Sequence, residues 1–294
     1  MKILVTGSQG QLGWEILREA KSLGFETVGF DLPQIDITIK SDVEKVINNT
    51  RPDIVINAAG YTNVDRAEEE KEICFAVNCI GPGNIAAVCS SLEIPLIHIS
   101  TDYVFDGSGN TPYTEKDIIS PINAYGKCKA EGDDAVRNIL QKHIIIRTSW
   151  LYGIHGHNFL KTILQLGEEK EVIEVVSDQF GSPTFATELA NAVLTISSQI
   201  QNSSCGNWGT YNFCGTGITT WHGFAEKIIE EARKYMDIKT ILVKPITSKE
   251  YPTKARRPYY SALDCSLMNR HFGIASKPWQ ESLKTAIKII CSNT

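Results

Sequence analysis

Gly7-x-x-Gly10-x-x-Gly13 joins a short apolar run, Lys2–Thr6, directly to an amphipathic segment, Gln11–Leu23. That junction constrains the fold more than any other feature. Glycines at this spacing let a strand turn sharply into a helix, let backbone approach a pyrophosphate, and let helix and strand pack closely. The new helix then offers unpaired N–H groups and partial positive charge to phosphate oxygens. Leu12, Ile16, Ala20 and Leu23 share one helical face, and Gly24 stops the segment. A glycine triplet alone is weak evidence, since loops use glycine anyway. Its place in a strand–turn–helix unit gives it meaning.

The same alternation continues. Glu26–Asp31 reads as a strand, and Ser41 with Glu44 reads as a capping box opening a helix. Strands follow at Asp53–Ala59, Pro95–Thr101 and His143–Trp150, with a long helical stretch before Pro95 and a helix over Ala124–Leu140. Near-continuously apolar strands alternating with helices imply an α/β fold with a doubly wound parallel sheet covered on both faces. Ligands bind such a sheet beyond the C-terminal ends of its strands. Regularity breaks after Trp150: Gly153–Asn158 is a Gly/His loop, Asn202–Trp208 is turn-rich, and a helix lies near Trp221–Tyr235. The chain thus divides into a dinucleotide-binding domain, 1–150, and a smaller, mainly substrate-binding region, 151–294. Parts near 172–214 are expected to return to the main sheet.

Composition narrows the function. Of the 294 residues, 29 Lys+Arg against 34 Asp+Glu give a formal charge of −5 without a basic run, which argues against a nucleic-acid partner. The apolar run after Met1-Lys2 is too short for a signal peptide, and no apolar stretch approaches the ~20 residues of a membrane span. A cytoplasmic protein without a membrane partner is expected. The eight cysteines, at 74, 79, 89, 128, 205, 214, 265 and 291, form no Cys-x-x-Cys pair and no zinc-like spacing. They read as reduced, buried thiols.

Two further features point to redox chemistry. Asp31 ends the second strand, where an acid would accept hydrogen bonds from an adenosine ribose and repel a 2′-phosphate, favouring NADH. Tyr125-x-x-x-Lys129 places a phenol and an ammonium on one helical face. A free phenol, with a pKa of ~10, is a poor acid or base near neutrality, and a neighbouring Lys⁺ is expected to lower it. The pair follows a strand that ends in Ser100-Thr101.

With Gly7-x-x-Gly10-x-x-Gly13, Asn57-Ala58-Ala59-Gly60, Ser100-Thr101-Asp102 and Tyr125/Lys129 in this order, the chain resembles an extended short-chain dehydrogenase of Rossmann type. More narrowly it resembles the dTDP-4-dehydrorhamnose reductase family over essentially its whole length. The narrower likeness rests on Gly10–Glu15, Ser100–Phe105, Arg147–Gly153, Asp178–Thr184 and Ala255–Pro258. It implies reduction of dTDP-4-dehydro-L-rhamnose by NADPH or NADH, in the supply of dTDP-rhamnose for cell-surface polysaccharide.

The resemblance also implies roles. Gly7, Gly10, Gln11, Leu12 and Gly13 would form the pyrophosphate turn, and Asp31, Asp36 and Ile37 would surround the adenosine. Ala59, Gly60, Tyr61 and Thr62 would pass beside the cofactor. Tyr125 would protonate the C4 oxygen, Lys129 would hold the nicotinamide ribose and lower the phenol's pKa, and Thr101 would bind the carbonyl oxygen or tune Tyr125. Asp102 would touch the sugar and Trp150 would stack near it. Some relatives hold Mg²⁺ at a dimer contact through Glu15, Glu188 and a residue near Ser248, which leaves a metal and a homodimer open. No metal ligand is assigned here; His155 and His157 read as loop polarity. Arg256-Arg257 could meet a diphosphate or serve the surface. Two alternatives stand beside the reductase. A dehydratase or epimerase shares the fold, but dehydratases carry Thr-Asp-Glu where this chain has Thr101-Asp102-Tyr103. A non-catalytic regulatory subunit, like that of methionine adenosyltransferase, would not need Tyr125, Lys129 and Thr101 intact.

Overall fold

In the computed structural model, which describes residues 1–202 and 206–292, the strands send alternate residues into two different cores. In β1 (Lys2–Thr6), Ile3 and Val5 join one cluster and Leu4 the other, the two-residue period a strand imposes. The first half continues with α1 (Gln11–Ser22), β2 (Glu26–Phe30), α2 (Lys40–Thr50), β3 (Ile54–Asn57) and α3 (Lys71–Phe75). A π turn (Ala76–Ile80) leads to α4 (Gly81–Ser91), β4 (Leu96–Thr101), α5 (Ala124–Ile139) and β5 (His143–Thr148). These strands and a sixth lie in a parallel sheet whose order reverses beside β1, with β2 on one side and β3, β4 and β5 on the other. The doubly wound parallel sheet is the one expected from the alternation. Register sets Thr6 against Asn57, Ser100 against Arg147 and Thr101 against Thr148.

The second half comprises β6 (Leu151–Tyr152), α6 (Phe159–Glu169), β7 (Val172–Val176), β8 (Phe180–Gly181), β9 (Thr184–Phe185) and α7 (Ala186–Gln201). It ends with β10 (Gly209–Asn212), β11 (Thr219–Thr220), α8 (Trp221–Ala232), β12 (Leu242–Ile246), α9 (Ser266–Phe272) and α10 (Trp279–Ser292). It does not stand apart after residue 150. β10 adds to β5 as the sixth strand, and α7 and α9 pack with α1 on one face of the sheet. α2, α4 and α5 cover the other face. β7, expected near the main sheet, instead pairs with β12. Its buried residues alternate with exposed ones, which suits a two-stranded sheet covered on one side. α6, α8 and α10 cover that pair and build a second core around Leu160, Phe224 and Leu283.

Three expectations need correction. α2 begins at Lys40, before Ser41, so Ser41 sits inside the first turn and no capping box forms; the exposed Lys40 and Glu44 pair one turn apart instead. The helix Lys71–Ser91, running through the π turn, is long and apolar enough to cross a membrane by length and composition. Its charges are confined to its first two residues, and it packs against α5 in the core of this fold. The thiols are not uniformly buried: Cys74, Cys89, Cys128 and Cys214 are, whereas Cys79, Cys265 and Cys291 are only partly so. Cys205 and part of the turn-rich stretch 202–208 lie outside the described residues.

Candidate active site

At the C-terminal ends of β1, β3, β4 and β5 the surface opens into a cavity of about 610 Å³. This is the crevice where the strand order reverses, the place a doubly wound sheet offers a ligand. Its floor is the glycine turn. Gly7 has φ +70°, and a Cβ there would lie 2.5 Å from the Ala59 nitrogen; one on Gly13 would lie 2.1 Å from the Gly7 carbonyl oxygen. Side chains at either position would push the turn apart. Among the described residues no side chain caps α1, so its first-turn N–H groups remain for a ligand where Gly10, Gln11 and Leu12 line the cavity. The Gln11 amide donates to the Leu151 carbonyl at 3.2 Å and accepts from Asn158 at 2.7 Å, tying turn to loop. His155 stacks on Trp14 with ring centroids 4.8 Å apart.

α5 supplies the Tyr–Lys pair. Asn123 caps it, accepting the Gly126 N–H at 2.8 Å. Tyr125 and Lys129 then project from one face into the cavity beside Thr101 and Asp102. A Cβ on Gly132 would lie 2.0 Å from the Asn78 carbonyl oxygen, so a residue without one is what lets α5 lie against the π turn. Burial raises the Tyr125 phenol above its ordinary pKa; a hydrogen bond with Thr101 opposes the rise, and Asp102, Tyr103 and Cys74 add to it. The Lys129 ammonium donates to the Ile99 carbonyl at 2.6 Å, and burial brings its own pKa down to about 8.

Asp102 is buried, and burial pushes its carboxyl up to about 7 against hydrogen bonds with Ser261 and Thr101. Among the described residues its Oδ2 and the hydroxyl of Thr148 have no hydrogen-bond partner, and both residues line the cavity. Uncapped helix N–H groups at one end and orphaned polar atoms at the other fit a ligand with an anionic middle and a hydroxylated end.

Opposite stands an aromatic wall. Trp150, in a left-handed conformation at φ +47°, stacks on Trp221 at 3.6 Å between ring centroids. Phe159 leans on Trp221 at 4.6 Å. Beyond these two lies a second cavity of about 660 Å³, lined by Val175, Tyr251, Lys254 and Arg257 among others. Arg257 is held by Asp65 at 2.7 Å, while Arg256 is exposed beside it.

Of the residues expected at the site, Gly10, Gln11, Leu12, Ala59, Gly60, Thr62, Thr101, Asp102, Tyr125, Lys129 and Trp150 line one cavity. Gly7 and Gly13 support its floor from below. Asp31 is tied to the glycine turn, accepting the Gln9 N–H at 3.0 Å. Asp36 instead holds Thr38, Ile37 is buried, and the Tyr61 hydroxyl donates to Glu70 at 2.5 Å. Asn78, Phe159 and Trp221 were not expected. Asn78 is fixed by the π turn and pairs with the Tyr61 backbone in both directions; no sequence pattern marks it. The magnesium residues are engaged elsewhere: Glu15 with Arg18 at 2.8 Å, Glu188 with Ser282, and Ser248 with Asp178. Among the described residues no three His, Cys, Asp or Glu side chains gather as a metal site.

A doubly wound sheet with an uncapped glycine turn and a Tyr–Lys pair on the facing helix defines an extended short-chain dehydrogenase, an NAD(P)H-dependent oxidoreductase. Residues 1–291 match the family described as RmlD substrate binding domain. A dTDP-4-dehydrorhamnose reductase of Aggregatibacter actinomycetemcomitans is 38% identical over 96% of this chain and 97% of its own. A crystal structure of such a reductase from Clostridium acetobutylicum superposes with a TM-score of 0.92 at 40% identity, covering 99% of each chain. One from Bacillus anthracis, solved in complex with NADP, gives 0.90 at 38% identity over 98% of this chain and 99% of its own. The chain belongs to this family, that of the dTDP-4-dehydrorhamnose reductases.

Proposed function

We propose that the protein reduces the C4 ketone of dTDP-4-dehydro-β-L-rhamnose to give dTDP-L-rhamnose, a step in making surface polysaccharide. The observation that carries this reading is the convergence of Tyr125, Lys129, Thr101 and the uncapped α1 N-terminus on one cavity. NADPH or NADH, when bound, supplies the hydride. The N–H groups of Gln11 and Leu12 hold the pyrophosphate, with Gly10 lining it, on the glycine turn supported by Gly7 and Gly13. Asp31, Asp36 and Ile37 serve the adenosine side, and Ala59, Gly60, Tyr61 and Thr62 flank the dinucleotide. Lys129 binds the nicotinamide ribose. The Tyr125 O–H donates its proton to the C4 oxygen as negative charge develops there, and Thr101 shares that oxygen. A phenol kept neutral by burial suits a proton donor. Asp102, through its free Oδ2, accepts from a sugar hydroxyl, and Trp150 stacks on the ring. Asp31 disfavours a 2′-phosphate, while the Bacillus anthracis relative was solved with NADP; both dinucleotides are expected to serve.

A dehydratase would need a second carboxylate. Among the described residues lining the cavity Asp102 stands alone as a carboxylate, with Tyr103 next to it. An epimerase would recycle its cofactor, so net consumption of NAD(P)H separates it from a reductase. The test supplies purified protein with dTDP-4-dehydrorhamnose and follows the absorbance of NADPH and NADH in turn. Tyr125→Phe should lose on the order of 10²–10⁴ in turnover yet still bind dinucleotide. A variant as fast as its parent would mean another proton donor.

A further inference from the structure

Behind Lys129, on the side away from the cavity, lies a buried polar cluster that the roles above leave unused. Asp133, one helical turn on, is 0% exposed, His98 0% and Arg147 1%. Asp133 Oδ2 accepts from Ser100 at 2.9 Å and lies 3.6 Å from Arg147 Nε; its Oδ1 lies 3.7 Å from His98 Nε2. The orientation of His98 is set from further back. Thr6 and the Ala59 N–H both donate to Asn57 Oδ1, which turns the Asn57 amide nitrogen to His98 Nδ1 at 3.1 Å. Nδ1 is therefore the acceptor, and in the neutral ring Nε2 carries the proton. Burial, with Lys129 and His143 nearby, keeps that ring neutral.

A protonated Nε2 cannot accept from Lys129, although the two nitrogens are 3.5 Å apart. The ammonium therefore uses the Ile99 carbonyl, a neutral acceptor, and needs an anion from elsewhere. The groups with titratable or charged chemistry around it are Asp133, Tyr125 and Cys128 on α5, His98 on β4, Cys74 on α3 and Arg147 on β5. Asp133 is the carboxylate among them, and it also faces a second buried cation.

We propose that Asp133 is a positioning residue for the reaction, its buried charge one helical turn behind Lys129 acting without a direct ion pair to keep the ammonium charged and facing the cleft. This rests on the reductase reading, which gives Lys129 its task. Burial draws the Lys129 pKa down to about 8 with Asp133 opposing, so removing the carboxylate lets the lysine lose its proton at lower pH.

Asp133→Asn alone would leave two buried cations without an anion and could fail to fold. The variant to use is Asp133→Asn/Arg147→Met, which removes the Arg–Asp pair together, with Asp133→Glu as the conservative control. Lysine ¹³Cε resonances are followed against pH, with Lys129→Met assigning the signal. In the double variant the Lys129 midpoint should fall by about one pH unit or more. The alkaline limb of kcat/KM should move down equally, so that turnover lost at high pH returns on acidification. Asp133→Glu should keep the midpoint near that of the parent. An unmoved midpoint in the double variant, or a rate loss equal at every pH, would overturn the proposal. So would a midpoint in Asp133→Glu that falls as far as an uncharged residue is expected to make it fall. A parent that consumed no NAD(P)H would sink the reductase reading instead, leaving the resonance titration to judge Asp133.

Discussion

The two walls of the cleft are built by different means. On the sheet side, Thr101, Asp102, Tyr125 and Lys129 stand on the end of β4 and the start of α5, held by backbone contacts: the Tyr103 N–H to Thr101, the Lys129 ammonium to Ile99, the Asn123 cap. On the far side, Trp150, Phe159 and Trp221 come from a loop and the first residues of α6 and α8, and hold one another by one stacked and one tilted ring contact. The polar wall is local in sequence and anchored to rigid elements, which suits groups that must meet a transition state within fractions of an ångström. The aromatic wall is assembled over long range and offers area and shape, which suits recognition of a sugar ring.

The largest expected effect breaks the polar wall. Gly132→Ala would drive a methyl into the Asn78 carbonyl, lifting α5 and its Tyr–Lys pair. Stability should fall by about 3 kcal/mol, read as an earlier urea midpoint, with turnover falling alongside. A variant that melts and reacts like the parent would show that the helix contact does not fix the reactive pair. A smaller effect is expected on the aromatic side. Trp221→Ala removes the partner of a strained Trp150, and KM for the sugar nucleotide should rise about tenfold with kcat changed less. A loss confined to kcat would assign that wall to chemistry and erase the contrast.

The smallest effect sharpens the comparison through pH. The folded pKa of Asp102, about 7, is raised from an ordinary 3.8 because burial penalises the charge. The native state therefore holds this proton more tightly than the unfolded chain. The associated stability is fully present below about pH 4 and is lost as pH rises to about 7. Between pH 6 and 7 alone, Asp102→Asn should thus gain at most about 1.4 kcal/mol relative to the parent, and nothing further above that window. Melting curves at several pH values would read it, and a gap that stays constant with pH would contradict a buried, charge-penalised carboxyl.

Much of this was legible in the sequence. The strand–helix alternation gave the parallel sheet because each apolar run is buried on two faces, and the glycine turn and Tyr–Lys pair depend on local spacing alone. What could not be read depends on distance along the chain. Nothing near Trp221 says that it stacks on Trp150, and Tyr125 does not disclose that burial raises its phenol while Thr101 opposes the rise. Within the stretch 172–214, expected to return to the main sheet, α7 and β10 do rejoin the first core, whereas β7 pairs with β12, a choice of partner that no local pattern carries.

The widened turn at Ala76–Ile80 works as a phase shift. Normal winding advances about 100° per residue, so one residue more or fewer in this stretch would swing the Asn78 amide off the Tyr61 backbone. It would also take the Asn78 carbonyl away from the groove that receives α5. Length in this stretch is thus held to a tolerance that neighbouring loops do not share, and a single-residue deletion here should do more harm than a larger excision at the surface.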